Sequence, residues 1–306
     1  MSAQSQTVPD RIASLAEDVD GYQVLLYAIL LLLTAFFIAP LWTALVTSFK
    51  TDQAVTMTLP LAPPSPEGFT LGNYVGAFEY LARGFVNSLA MAIPSTILDV
   101  IFASTAAYGL TLVDWRYQVP VLVLFVIGIF IPYQAVLVPL ADFWTNIVPL
   151  QSLLGPLWGL PLLEPYHADL VALIVTHVAY GIPICMLLFR GYYLTISEEI
   201  VEAAKIDGAS ITAIYRRIVV PLSMPMVGVV LIYQFTQIWN EFLFSLTLIG
   251  SSSDPAATLT LLLSGMGASL TGVDYGLRMA GAIIVALPTI LLYLAFSEQF
   301  VKGLQT

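Results

Sequence analysis

Six long apolar runs constrain this chain more than any other feature of its sequence. They cover roughly residues 22–48, 85–112, 119–141, 169–194, 219–249 and 277–301. Each run has the roughly 20 residues that a helix needs to cross a lipid bilayer. Charged residues make up only 10% of the chain, against roughly 25% in a soluble domain. The sequence therefore predicts an all-α membrane protein with six transmembrane helices.

The distribution of Lys and Arg predicts how the chain is oriented in the membrane. With the N-terminus in the cytoplasm, most basic residues lie on the cytoplasmic side, as the positive-inside rule requires. The inside group is Arg11, Arg116, Arg190, Lys205, Arg216, Arg217 and Lys302, and the outside group is Lys50, Arg83 and Arg278. We therefore expect a cytoplasmic tail over residues 1–21, one transmembrane domain over residues 22–306, and both termini inside.

Acidic residues outnumber basic ones by 20 to 10, giving a net charge of −10. They are scattered along the chain, so no surface for nucleic acid is predicted. The acidic excess also fits a protein from a high-salt cell, a hypothesis that full transport by low-salt vesicles would contradict. The single cysteine, Cys185, lies in an apolar run and is expected to be a small buried residue.

The stretch between the fourth and fifth runs predicts two short helices. Ser197 can cap the first helix, and Gly208 supplies the left-handed turn that ends it. Ser210 can cap the second helix, after which Pro221 is expected to start the fifth span. The result is a helical loop on the cytoplasmic side.

One face of the first short helix has small side chains at its centre, so another surface can approach it closely. Ile200, Ala203, Ala204 and Asp207 follow the helical spacing i, i+3, i+4 and i+7. Such a stripe suits docking into the groove of a partner, whose movement would then reach the two flanking spans. The alternative is a hairpin that lies on the membrane surface without a partner.

The spacing of residues in this loop resembles the signature loop of binding-protein-dependent ABC importer permeases. The matching positions are Glu202, Ala203, Ala204, Gly208, Ile218 and Pro221. Val220 departs from the leucine that is usual before the final proline. The resemblance implies that the first four matching residues belong to a coupling helix that docks on an ATPase subunit.

The similarity extends over about residues 85–300, taken as the core of an ABC type-1-like permease, and is closest to the carbohydrate branch of maltose-, glycerol-phosphate- and glucose-type permeases. The segments that carry it are Phe85–Ser88, Ile131–Gln134 with Pro139, Arg190–Tyr193, Trp239–Phe242 and Phe300–Leu304. The resemblance implies a prokaryotic cell membrane, a second related permease, two ATP-binding subunits and an extracytoplasmic binding protein that delivers sugar.

The motifs of ATP-binding and hydrolytic enzymes are absent from the sequence. Lys50, Lys205 and Lys302 all lack the Walker A context, so ATP with Mg²⁺ is expected on partner subunits and no cofactor in this chain. The two histidines, His167 and His177, form no zinc motif, and no Gly-x-Ser-x-Gly segment occurs. We therefore expect neither catalytic nor metal-binding residues.

Polar side chains inside the spans are the candidates for a substrate pathway. The polar groups there are Asp99, Gln134, His177, Gln234, Gln237, Asn240 and Glu241. The residues expected to line the pathway are Asp99, Gln134, Trp239, Asn240 and Glu241. A charge near the bilayer centre costs about 2.5 to 3.5 kcal/mol, so Asp99 is expected to face the bundle or a wet cavity. Trp239, Asn240 and Glu241 together offer the ring face and polar groups that hold a sugar. A structural partner for Asp99 and an interfacial position for Trp239 are the alternatives.

Other functions stay open from the sequence alone. An ion-coupled secondary transporter would use Asp99, His177 or Glu241 for proton or sodium coupling, although no internal repeat is visible. An ABC permease for a solute other than sugar would share the signature loop. A non-transporting membrane scaffold would use the two short helices for assembly only.

Overall fold

Helices form where the sequence is apolar, and they are joined by shorter helical segments. The computed structural model describes residues 21–269 and 272–304. The α-helices are α1 (Gly21–Ser48), α2 (Asp52–Met57), α3 (Gly72–Gly109), α4 (Gln118–Ile129), α5 (Tyr133–Asp142), α6 (Leu150–Leu153), α7 (His167–Tyr193), α8 (Glu198–Ile206), α9 (Ile211–Ile214), α10 (Val220–Leu222), α11 (Met224–Trp239), α12 (Leu243–Leu248), α13 (Leu259–Gly265) and α14 (Tyr275–Leu304). Phe143–Ile147 and Tyr215–Val219 are π-helical, Gly155–Gly159 is a 3₁₀-helix, and β1 (Ala268–Ser269) pairs antiparallel with β2 (Gly272–Val273).

Four single helices, α1, α3, α7 and α14, are long and apolar enough to cross a membrane. Two further spans are bent pairs, so the described residues contain six spans if each pair counts as one. The pairs are Gln118–Ile129 with Tyr133–Leu153, bent by 97°, and Ile211–Leu222 with Met224–Trp239, bent by 76°. The prediction of an all-α membrane protein is confirmed, but its third and fifth spans are not straight helices.

The two bends have local causes. At the first, Pro132 has an extended backbone, and a proline disfavours the α conformation of the residue before it. At the second, Ser223 donates its hydroxyl to the carbonyl oxygen of Val219 at 2.7 Å, a bond that bends helices. Pro225, two residues later, has no N–H to continue the helix. The expectation that Pro221 starts the fifth span is wrong, because Pro221 belongs to α10, before the bend.

The helices pack around two apolar clusters. One lies near α12 and α13 and contains Leu81, Trp239 and Phe244, and the other lies near the helical loop and contains Phe189 and Ile214. Helix α3 contributes to both clusters and packs against α7, α11 and α14. Helix α1 contacts α14 and leaves almost all of its apolar side chains exposed, as suits a helix surrounded by lipid or by another membrane protein.

The Phe85–Ser88 segment joins α3 to the chain around α13. Asn87 donates its side-chain amide to the carbonyl oxygens of Pro255 and Ala257 at 2.8 and 3.0 Å. Ser88 accepts the backbone N–H of Leu259 at 2.8 Å. These bonds satisfy buried polar groups at a point where the two backbones nearly touch. Gly84 makes the approach possible, since a Cβ there would lie 2.5 Å from Leu262.

Several basic residues that set the predicted orientation lie at the ends of the bundle. Lys50 is 1% exposed and donates its ammonium group to the carbonyl oxygen of Leu59 at 2.9 Å. Arg278 donates to the carbonyl oxygen of Met266 at 2.9 Å. The tail residues 1–20, which include Arg11, and the side chain of Lys302 lie outside the described residues.

Candidate functional site: the helical loop and a polar pocket

The helical loop, residues 194–223, has the two short helices that its sequence predicts. Gly208 has a φ of +78°, the left-handed conformation that glycine adopts without strain. The N–H groups of Ala209 and Gly208 donate to the carbonyl oxygens of Ala204 and Lys205 at 2.9 and 3.0 Å, which closes α8 with a Schellman motif. The predicted role of Gly208 in ending the helix is confirmed.

The two predicted caps of the loop have different outcomes. Ser210 accepts the backbone N–H of Ala213 at 3.2 Å and caps α9 as predicted. Ser197 precedes α8 without a side-chain capping bond, so that prediction is wrong. Its backbone ψ of 126° places it outside the helix, and Glu198 and Glu199 supply negative charge to the first turn instead.

The first short helix has an inner and an outer face. Val201 is buried and Ala204 is half-buried against the apolar cluster near the loop. On the outside, Ile206 is 85% exposed and Ile200 is 46% exposed, beside the exposed residues Glu202 and Ala203. The outer face therefore exposes two isoleucines to water between charged and small residues. Gly208 is exposed as well, so Ala204 alone among the four signature residues turns partly inward.

Hydroxyl groups attach the loop to α3 and α7. Tyr108 on α3 donates to the carbonyl oxygen of Ile211 at 3.0 Å. Tyr192 on α7 donates to the carbonyl oxygen of Leu222 at 2.9 Å. A group that we call the hydroxyl cluster consists of Ser104, Thr105, Tyr193 and Tyr215. Tyr192 and Tyr193 lie in the Arg190–Tyr193 segment, whose sequence predicted no contact for them.

A second polar group lies inside the bundle, between α3, α7 and α11. Asp99 is 0% exposed and accepts a hydrogen bond of 2.6 Å from the side-chain amide of Gln234. Cys185 Sγ lies 3.4 Å from Oε1 of Gln234, and its predicted burial is confirmed. Gly181 makes room for this group, because a Cβ there would overlap the Gln234 amide and lie 2.5 Å from Oδ2 of Asp99.

A small polar cavity of about 30 Å³ adjoins this buried group. Its polar lining consists of Tyr133, His177, Tyr180, Tyr233, Gln234, Gln237 and Glu241. Nε2 of His177 and Oε2 of Glu241 are 3.8 Å apart, and neither has a hydrogen-bond partner within the described part of the chain. Buried polar atoms of this kind need a partner, and a ligand hydroxyl can both donate and accept. The cavity can therefore bind a group such as a sugar hydroxyl.

The predicted pathway residues do not all meet at this cavity. Glu241 lines it, and Asp99 lies behind Gln234. Trp239 is 1% exposed and donates its indole N–H to the carbonyl oxygen of Val285 at 2.9 Å. Asn240 is exposed and its amide bonds the carbonyl oxygen of Thr236, while Gln134 is exposed on α5.

Three tyrosines of the cavity, Tyr133, Tyr180 and Tyr233, were not predicted from the sequence as pathway residues. Tyr133 stacks on Tyr180 with ring centroids 4.4 Å apart, and Tyr180 donates its hydroxyl to the carbonyl oxygen of Ile131. Tyr233 and Gln237 are one helical turn apart on α11. Gln234 and Gln237 were recognised from the sequence as polar groups inside a span but given no role, and their spacing with Tyr233 in an apolar helix was the signal that could have placed all three in one site.

Comparisons with known proteins agree with this architecture. The profile of the family described as "binding-protein-dependent transport system inner membrane component" matches residues 68–304. The xylose/arabinose import permease protein XacI of Haloferax volcanii is 55% identical over 307 residues, covering 100% of this chain and 99% of XacI. A protein of Pyrococcus horikoshii described as a probable ABC transporter permease is 38% identical, covering 91% of this chain and 94% of that protein.

A solved structure has a similar fold. It is the crystal structure of a bacterial ABC transporter involved in the import of the acidic polysaccharide alginate. The TM-score is 0.66 at 15% identity, with 97% of this chain and 100% of that chain covered. At this level of identity the likeness concerns the fold.

Proposed function

Because this chain belongs to the family of binding-protein-dependent transport system inner membrane components, we propose that it is the permease subunit of an ABC importer for a pentose such as xylose or arabinose. Membership in the family makes the chain a transport subunit, not an enzyme. We infer the class of sugar from the 55% identity to XacI, which extends over the whole chain. The bundle supplies the route, and no covalent chemistry is required of it.

The partners that we propose follow from the family and from the surfaces of the chain. A second, related permease completes the pore, and a solute-binding protein delivers the sugar from outside. Two ATP-binding subunits bind ATP with Mg²⁺, and one of them docks on the helical loop of this chain. The exposed face of α8, with Ile200, Ile206, Glu202 and Ala203, supports this docking, since it leaves two isoleucines otherwise open to water.

The orientation that we propose places this docking face in the cytoplasm, together with both termini. The loop also contains Lys205, Arg216 and Arg217, consistent with the excess of basic residues on cytoplasmic loops. The chain is then a multi-pass protein of a prokaryotic cell membrane. When the ATP-binding subunits close, the docked loops move and the two permeases open alternately to the outside and the inside.

The route that we propose for the sugar passes the polar cavity. Glu241, His177 and Gln237 supply groups that exchange hydrogen bonds with sugar hydroxyls. Asp99 holds Gln234 in the wall of the cavity. Trp239 and Asn240 precede Glu241 and fix the end of α11, and Gln134 lies next to Tyr133 on α5.

The experiment is uptake of labelled xylose and arabinose by cells lacking the gene, with and without a plasmid copy. We expect uptake to disappear with the gene and to return with the plasmid, while uptake of an unrelated amino acid stays constant. Uptake should survive collapse of the proton and sodium gradients as long as ATP persists. Loss of uptake under an uncoupler at constant ATP would instead support an ion-coupled transporter.

A further inference from the structure

The hydroxyl cluster joins three elements that are distant in sequence. The Ser104 hydroxyl on α3 is 2.6 Å from that of Tyr193, at the end of α7, and 2.8 Å from that of Tyr215, in the helical loop. The hydroxyl groups of Thr105 and Tyr215 are 3.2 Å apart. The rings of Tyr108 and Tyr215 pack with centroids 5.0 Å apart. The loop is thus held to α3 by both hydrogen bonds and ring packing.

The direction of these hydrogen bonds is restricted. A hydroxyl group has one hydrogen to donate and two lone pairs to accept. Thr105 donates its hydrogen to the carbonyl oxygen of Ile101 at 2.7 Å, so toward Tyr215 it can only accept. Tyr215 therefore donates to Thr105 and accepts from Ser104, or shares its hydrogen between them. Removing the Tyr215 hydroxyl breaks both bonds and leaves Ser104, which is 4% exposed, with Tyr193 alone.

We propose that the hydroxyl cluster transmits movement of the helical loop to α3, with Tyr215 and Ser104 as positioning residues for transport. The loop is covalently continuous with α7 and, through the bend at Ser223, with α11. Helix α3 has no such continuity, because Ser104 and Tyr215 are 111 residues apart. This inference rests on the proposed docking of the loop on an ATP-binding subunit.

Movement of α3 matters because of what this helix contacts. It packs along α7, α11 and α14, and its Asp99 holds Gln234 in the wall of the polar cavity. Ser104 lies five positions after Asp99 on the same rigid helix. A displacement that reaches Ser104 therefore also moves Asp99 and the cavity wall. The hydroxyl cluster thereby connects the docking face of the loop to the proposed sugar route.

The test uses the complete transporter in lipid vesicles, supplied with its binding protein, pentose and ATP, and measures sugar transported per ATP hydrolysed. For Ser104→Ala we expect this ratio to fall about fivefold, the factor that corresponds to one net hydrogen bond, and for Tyr215→Phe, which breaks both bonds to α3, to fall by at least as much. Ser104→Thr, which keeps the hydroxyl, should restore most of the ratio. The control is Tyr117→Phe, since Tyr117 is 53% exposed and its hydroxyl makes no hydrogen bond within the described residues.

The double variant Ser104→Ala/Tyr215→Phe should be no worse than Tyr215→Phe alone, because Tyr215→Phe already breaks both hydrogen bonds between the Tyr215 hydroxyl and α3. If both single variants leave the ratio of sugar transported to ATP hydrolysed unchanged while Glu202→Ala lowers it, the proposed role of the hydroxyl cluster is wrong. The proposed function then still stands. A lower yield of assembled transporter with an unchanged ratio would also contradict the proposal, because Ser104 and Tyr215 would then matter for folding and not for transmission. Normal coupling in Glu202→Ala would contradict the docking loop itself. If Tyr215→Phe does not assemble, Ser104→Ala and Ser104→Thr decide between these outcomes.

Discussion

The side-chain amide of Gln234 donates a 2.6 Å hydrogen bond to the carboxyl group of Asp99, joining α11 to α3 across 135 residues of sequence. Both side chains are buried, and the second carboxyl oxygen of Asp99 has no hydrogen-bond partner among the described residues. A buried pair of this kind is costly to break, because the amide N–H or carboxyl oxygen that remains is left buried without this hydrogen bond.

Removing either member of this pair should therefore destabilise the protein. We expect Asp99→Ala and Gln234→Ala each to cost about 1 to 3 kcal/mol, and Asp99→Asn to cost less because it keeps an acceptor oxygen. Thermal unfolding of the purified transporter in detergent measures the effect. Asp114→Ala is the matched control, since Asp114 is exposed. Equal melting temperatures for Asp99→Ala and Asp114→Ala would contradict a stabilising pair.

Gly181 should tolerate no side chain, whereas Gly191 on the same helix should. A Cβ at position 181 would lie 2.5 Å from the Asp99 carboxyl oxygen, while a Cβ at position 191 meets no atom within 4 Å. We expect Gly181→Ala to destabilise by about 1 to 3 kcal/mol through overpacking. Gly191→Ala should be neutral or stabilising by about 0.4 to 1 kcal/mol. Comparison of the two melting temperatures tests this, and equal values would mean that α7 and α11 separate easily.

Glu202→Ala and Gly208→Val should uncouple ATP hydrolysis from sugar uptake. Glu202 is exposed on α8, and Gly208 has a φ of +78° that costs a β-branched residue about 1 to 2 kcal/mol. Membrane insertion should be normal, because both residues lie in the loop. The measurement is uptake and ATP hydrolysis in vesicles, with Gly191→Ala as the glycine control. Normal sugar uptake by both variants would contradict the proposal that this loop couples ATP hydrolysis to transport.

The two serines of the loop should differ when replaced by alanine. Ser210 caps α9 and Ser197 makes no capping bond. We expect Ser210→Ala to lower the stability of the loop by about 1 kcal/mol and Ser197→Ala to have little effect. Hydrogen exchange at the amide of Ala213 reports the difference. Faster exchange in Ser197→Ala than in Ser210→Ala would reverse the assignment of the caps.

Substitutions of Glu241 should separate its proposed role in transport from its hydrogen bond to the first turn of α12. One carboxyl oxygen accepts the backbone N–H of Phe244 at 2.8 Å, and the other faces the cavity. Glu241→Gln keeps the capping acceptor, so we expect normal stability with uptake reduced about tenfold if one charged hydrogen bond to sugar is lost. Glu241→Ala should lose both uptake and stability. Full uptake by Glu241→Gln would place the sugar route elsewhere.

Features that depend on nearby residues were predictable from the sequence. The apolar runs at 22–48 and 169–194 correspond to single helices, α1 and α7. The turn at Gly208 and the cap at Ser210 also agree, because a left-handed turn and a capping bond involve residues only a few positions apart. The signature spacing in the same loop pointed to the family for the same reason: it lies on one short continuous segment.

Features that depend on how helices pack were decided by the tertiary structure alone. Composition could not say that Asp99 pairs with Gln234, that Trp239 is buried against the carbonyl oxygen of Val285, or that Ser104 meets Tyr215. In an apolar helix every face is hydrophobic, so periodicity does not identify the face that meets a neighbour. The physical reason is that these partners are far apart in sequence, and the energy of their hydrogen bonds is available only once the bundle has closed around them.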